Sequence, residues 1–239
     1  MITSCIRHQI PNTVTCLNLF FGCVACVMAF EAKYELGAIF ILLSAVCDFL
    51  DGMLARLLKA YSPIGKELDS LADNIGFGMA PALILFSLLK EVQYPPFLFE
   101  WKHYIPYLAF LIAIFSALRL AKFNVDERQA NLFIGLPTPA NALFWASVAV
   151  GFHPFVVSPA FNAVYLIALV VLFSGLLVAE IPMFSLKFKN LSWQDNKVRY
   201  VFLIASVPLL LVLKTGGLAA IISWYIILSL STWKKIRES

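Results

Sequence analysis

Apolar residues fill most of the chain in long runs, and the polar breaks between them are short. Bounded by charges, proline or glycine, these runs predict eight helical spans at roughly 13–30, 37–58, 68–89, 104–121, 138–157, 160–180, 198–213 and 217–233. Each is close to the roughly 20 residues a helix needs to cross the hydrocarbon of a bilayer. No internal repeat or low-complexity linker interrupts the series, so the pattern predicts a single polytopic membrane domain over 1–239. Met1 to Ile10 is polar and short and does not read as a cleavable signal.

Composition agrees. Of 239 residues, 61% are hydrophobic and only 13% charged, against roughly 25% charged in a soluble domain. That excludes a soluble globular fold, and 21 Phe, 5 Trp and 8 Tyr exclude disorder. The net charge of +4 reads as topology, with no nucleic-acid partner implied. With a cytoplasmic N-terminus and eight spans, one side carries Arg7, Arg56, Lys59, Lys66, Arg119, Lys122, Arg128, Lys187, Lys189, Lys197, Arg199, Lys234, Lys235 and Arg237, fourteen of the 18 basic residues. The other side keeps Lys33, Lys90, Lys102 and Lys214. The positive-inside rule then places both termini on the cytoplasmic side.

Five cysteines, odd in number and mostly inside apolar runs, give no disulfide framework, and the C-x-x-C of Cys23 and Cys26 lacks a second ligand pair. His8, His103 and His153 are scattered, so no Ser-His-Asp or Cys-His site forms. Trp101, Trp193 and Trp233 fall near the predicted interfaces, as anchoring aromatics do.

The chemistry lies between spans two and three, in CDFLDGMLARLLKAYSPIGKELDSLADN. Asp48 and Asp51 are three apart and Asp69 and Asp73 four apart, so each pair shares one helix face. A short turn with Ser62, Pro63 and Gly65 makes the two helices antiparallel, and four carboxylates converge. Such a cluster near a membrane needs cations or protons to neutralise it. Hard oxygen donors select Mg2+ or Mn2+ over zinc, and four monoanions balance two divalent cations. Gly52 leaves the backbone open to a ligand, Ala55 keeps the surface small, and Arg56 can meet an anion. The pattern fits a two-metal site for a phosphate or pyrophosphate ester, one carboxylate serving as base. A divalent-cation transporter is the rival reading, although a conduction path would spread its acids through the depth of the bilayer.

As D48-x2-D51-G52-x2-A55-R56-x8-G65-x3-D69-x3-D73, the segment resembles the complete signature of the CDP-alcohol phosphatidyltransferase family. The match covers about 26 residues directly, and the order of apolar spans is similar over roughly the first 180. The resemblance implies an all-α membrane enzyme with a six-helix core at about 10–182 and two extra helices at about 198–233, working as a homodimer. It further implies transfer of a phosphatidyl group from a CDP-linked lipid to an alcohol, with release of CMP. Asp48, Asp51 and Asp69 are then shared metal ligands, and Asp73 is the general base and also a metal contact. Gly52, Arg56 and Ser62 match positions that contact the CDP moiety. Asn12, in I-P-N-T-V-T, either joins them or caps the first helix.

Three further stretches, N-I-G-F-G-M-A-P-A after Asp73, R-L-A-K-F-N-V from Arg119 and F-I-G-L-P-T-P-A-N from Phe133, resemble the branch of the family that uses L-serine as acceptor. Gly76 stands where that branch carries Ser, and Lys122 where it carries Arg. The resemblance implies CDP-diacylglycerol as donor, with Arg119, Lys122, Asn124 and Thr138 as acceptor-binding candidates. Glycerol phosphate or inositol are the alternative acceptors. Gly135, Leu136, Pro137 and Pro139 can equally serve only to shape the start of span five.

Overall fold

The computed structural model describes residues 2–126, 133–184 and 192–237. The expected basic residues Arg128, Lys187 and Lys189 lie outside them, and the side chains of Arg7, Trp233, Lys234, Lys235 and Arg237 are likewise outside the described set.

Among the described residues the fold is all-α apart from one two-residue ladder and an isolated bridge between Gln93 and Asn162. Helices α1 (Ile2–Phe30) and α2 (Tyr34–Leu57) form a long hairpin, and α3 (Pro63–Asp73) continues through a π-helical turn, Asn74–Met79, into α4 (Ala80–Glu91). Two 3-10 turns precede α5 (Leu111–Val125), followed by α6 (Thr138–Gly151), the short α7 (His153–Val156), α8 (Ala163–Val178), α9 (Trp193–Leu213) and α10 (Gly217–Arg237). Strands β1 (Phe133–Ile134) and β2 (Pro182–Met183) pair antiparallel.

Among the described residues, five helical stretches are long and apolar enough to cross a membrane: Gln9–Phe30, Tyr34–Leu57, Pro63–Glu91, Ile105–Val125 and Asn196–Thr232. The sequence predicts eight. The difference has local causes. Helix α6 has 14 residues and α8 has 16, short of the roughly 20 that a span needs, because irregular backbone intervenes at each end. The last stretch is one apolar run of 37 residues, folded by the turn Lys214–Gly216 into α9 and α10, which pack on each other.

The third stretch is the hub. Its most apolar window is 72% buried, against 28% or less for the other four. Phe77, Ile84, Leu85, Leu88 and Leu89 are fully enclosed there, and Trp145 of α6 and Leu166 of α8 belong to the same core. Phe20, Val27, Ile39 and Phe49 on α1 and α2, and Leu211 and Val212 on α9, remain exposed, an apolar belt suited to lipid. At the end remote from the acids, the Tyr34 hydroxyl donates to Glu91 Oε1 (2.6 Å), and His153 Nε2 lies 2.7 Å from Glu91 Oε2. This ties α2, α4 and α7 together.

Helix α1 begins well before the predicted span and carries Pro11 in its interior. Proline removes one helical hydrogen bond, and nearby hydroxyls fold back on carbonyls, Thr13 Oγ1 to Gln9 O (2.8 Å) and Thr15 Oγ1 to Pro11 O (3.1 Å). Asn12 is therefore an interior helix residue, which removes the capping alternative for it. The segment after β1 is pinned by Gly135 N to Ile181 O and Leu136 N to Leu176 O, both 2.9 Å. Gly135 has φ +75, and a Cβ there would meet Leu177 O at 2.6 Å, so only glycine fits.

Candidate active site

The acids stand where α2 ends and α3 begins. Lys59 at φ 49 turns the chain. Ser62, in extended backbone, caps α3 by accepting the Gly65 N–H (3.0 Å), with Pro63 in the first turn. This reversal carries Asp69 and Asp73 back toward the end of α2. Helix α1 packs more extensively on α2 and on α3 than those two pack on each other. Residues of α1 therefore enter the site.

One carboxylate oxygen from each of Asp48, Asp51 and Asp69 lies within 4.8 Å of the others. Asp51 is buried, and Asp48 and Asp69 are half-buried. Asp51 Oδ2 and Asp69 Oδ1 are shielded from solvent and accept no hydrogen bond. Enclosed, unpaired carboxylate oxygens of like charge are costly unless a cation joins them. An all-oxygen donor set suits a hard divalent ion such as Mg2+ or Mn2+, so the triad fits a metal. Asp73 stands apart from this group. It is buried, takes a hydrogen bond from Asn18 Nδ2 at 3.2 Å, and stays within electrostatic reach of the other three acids.

Beside the triad opens a cavity of about 530 Å3, lined by Asn12, Thr15, Asp51, Gly52, Arg56, Ser62, Lys66 and Asp69 among others. All four predicted donor-lipid residues thus border one space. Nothing lies within 4 Å of a Cβ built on Gly52. Arg56 is exposed and donates its Nε to Gly52 O (2.9 Å), which leaves the terminal guanidinium nitrogens for an anion. A Cβ on Gly65 would stand 2.9 Å from both Asn12 Oδ1 and Ser62 Oγ, so this glycine lets α1 and the α3 cap close together.

The acceptor candidates divide. Arg119 is buried, its Nε has no hydrogen-bond partner, and it lies within electrostatic reach of Asp73. With the exposed Lys122 it borders a second cavity of about 310 Å3, together with Val125, Ile134 and residues 177–180. Thr138 is buried with an unpartnered hydroxyl. Asn124 is occupied otherwise: its Nδ2 donates to Ser70 Oγ (2.8 Å), and its carbonyl accepts from Lys66 Nζ (3.0 Å), joining α5 to α3. Among the described cysteines, Cys16, Cys23, Cys26 and Cys47 are free. Sequence reasoning missed Asn18, Ser44 and Thr15, whose only signal is polarity inside apolar runs.

These features define a polytopic α-helical membrane protein with a metal-competent acidic site beside a cavity at one end of the bundle. Residues 8–233 match the sequence profile of the CDP-alcohol phosphatidyltransferase family, and the chain belongs to that family. Its relatives include the CDP-diacylglycerol–serine O-phosphatidyltransferase of Helicobacter pylori, 27% identical over 228 residues, which covers 95% of this chain and 91% of the relative. The protein of the same name from Bacillus subtilis is 30% identical over 151 residues, 62% of this chain and 78% of the relative. An archaetidylserine synthase of Methanothermobacter thermautotrophicus is 32% identical over 144 residues, 59% of this chain and 57% of the relative.

Proposed function

We propose that the protein transfers a phosphatidyl group from CDP-diacylglycerol to the hydroxyl of L-serine, giving phosphatidylserine and CMP. The observation that carries this reading is the gathering of Asp48, Asp51 and Asp69 carboxylate oxygens within 4.8 Å beside an open cavity. Relatives named for the serine reaction support the choice of acceptor.

In this reading Asp48, Asp51 and Asp69, with Asp73 at the margin, hold two divalent cations, Mg2+ or Mn2+. Bound there, the cations would offset the charge of the pyrophosphate and of the departing CMP. Arg56, Lys66, Asn12 and Ser62 line the space for the CDP group, and Gly52 lets it approach the helix backbone. The serine hydroxyl attacks the lipid-side phosphorus, the bond to the CMP oxygen breaks, and Asp73 takes the hydroxyl proton. Arg119 pairs with the serine carboxylate, aided by Lys122 and Thr138. Asn124 serves this pocket by bracing α5 against α3.

The chain acts as one domain, a core at about 10–182 followed by helices at about 198–233. Eight membrane passages with both termini and the site on the cytoplasmic side account for the sorting of basic residues, with the short α6 and α8 as passages through a locally thinned bilayer. By family analogy the protein is a homodimer.

The test is purified protein given CDP-diacylglycerol, Mg2+ or Mn2+, and a panel of labelled acceptors, with CMP release and lipid labelling as readouts. Serine-dependent CMP release supports the reading. Labelling by glycerol phosphate or inositol instead overturns the acceptor. Absence of CMP with both metals, together with divalent-cation flux in liposomes, replaces the enzyme by a transporter.

A further inference from the structure

Asn18 and Ser44 are both fully buried in the apolar hairpin of α1 and α2, where polar side chains persist only if they are paired. Ser44 Oγ donates to Asn18 Oδ1 and lies 3.3 Å from Asn18 O. With its oxygen engaged by that hydroxyl, the Asn18 amide can present only its NH2 side to Asp73, and Nδ2 does so at 3.2 Å. The relay runs from α2 through α1 to α3 and ends on the acid set apart from the metal-competent triad.

Gly76 lies against the same pair. A Cβ on Gly76 would overlap Ser44 Oγ, while it would stand 3.4 Å from Ser44 Cβ and 3.6 Å from Asn18 Oδ1. The space of a residue-76 side chain is thus already filled by a hydroxyl arriving from α2. A serine at 76 beside an alanine at 44 would fit, and its hydroxyl would reach the same Asn18 oxygen.

We propose that Asn18 and Ser44 are positioning residues for Asp73, with Ser44 supplying from α2 the hydroxyl that orients the Asn18 amide. The proposal rests on Asp73 acting in the transfer. Asn18 fixes the rotamer of the Asp73 carboxylate, and Ser44 fixes which face of the Asn18 amide it meets. Neither touches substrate.

The experiment compares Ser44→Ala, Gly76→Ser, the double variant and Asn18→Ala with Asp73→Asn, reading kcat for serine-dependent CMP release and KM for CDP-diacylglycerol. Loss of one buried hydrogen bond that leaves its partner unsatisfied predicts that Ser44→Ala lowers kcat by about tenfold with KM nearly unchanged. Gly76→Ser alone is impaired by overlap, and the double variant recovers to within about threefold of the parent. Ser44→Cys keeps a side chain of similar shape with a weaker donor, and lowers kcat even if Ser44→Ala is too unstable to purify. Parental kcat in Ser44→Ala or Ser44→Cys, or a double variant no better than the worse single one, overturns the proposal. If Asp73→Asn turns over normally, the role of Asp73 falls first. If Asp73→Asn is inactive while Asn18→Ala is normal, only the positioning role falls.

Discussion

A Cβ placed on Gly22 would lie 2.9 Å from both Cα and N of Gly76. The first and third spans therefore meet backbone to backbone, one turn beyond Asp73. That proximity lets Asn18, one turn earlier on α1, reach the acid.

Gly22→Ala forces two backbones apart in the core and should destabilise the protein by about 1–3 kcal/mol. Thermal unfolding in detergent checks this. Gly52→Ala, whose new methyl meets nothing within 4 Å inside α2, should raise the melting temperature slightly, because alanine is the better helix residue. Gly52→Leu should also fold but raise KM for CDP-diacylglycerol, because the added side chain enters the donor cavity.

Asp73→Asn keeps the shape and the burial of the side chain but removes a proton acceptor. Binding of CDP-diacylglycerol should persist, and kcat should fall by about 10²–10⁴-fold. Near-normal turnover would remove Asp73 from the base role.

Exhaustive chelation should abolish CMP release, and Mg2+ or Mn2+ should restore it. Asp69→Asn removes one of the three clustered carboxylates, so the metal concentration for half-maximal activity should rise by at least about tenfold. Activity that survives chelation would sink the two-metal reading.

Arg119 is buried with an unpartnered Nε. Arg119→Ala should raise KM for serine by about tenfold or more, with KM for CDP-diacylglycerol little changed. Arg119→Lys should recover only part of the loss, since an ammonium cannot reproduce the planar fork of donors. Equal effects on both substrates would assign Arg119 to the general fold.

The acids were legible in the sequence because their spacing and position are dictated by covalent distance along two helices. Arg56 and Gly52 lie on the same helix as the first acid pair, and both border the cavity beside the triad. What stayed hidden depends on a third helix. Asn18 and Ser44 read only as polar residues in apolar runs, where a hydroxyl is commonly satisfied by its own helix, as Ser206 is by Phe202 O at 2.8 Å. Their pairing exists because α1 lies between α2 and α3. Asn124 sat within a motif suggestive of ligand binding, yet its amide is engaged by Ser70 across 54 positions of sequence, a contact no local pattern encodes. Span lengths misled at the far end of α6, which starts at Thr138 as the pattern predicts but stops at Gly151, where Phe152 (φ -119, ψ 10) leaves helical backbone, in a run that composition alone would continue to 157.

The π-helical turn at Asn74–Met79 has a consequence for how such a protein can change. One extra residue per turn rotates everything beyond it by about 100° relative to an uninterrupted α-helix. The acid-bearing segment and the apolar segment of the third span therefore keep separate angular settings, one aimed at the site and the other at the core. Deleting a single residue there would heal the helix to plain α geometry and leave Ile84, Leu85 and Leu88 close to their present settings, because the lost residue cancels the offset of about 100°. The residue count between the two segments can therefore change by one, provided the π turn is gained or lost with it.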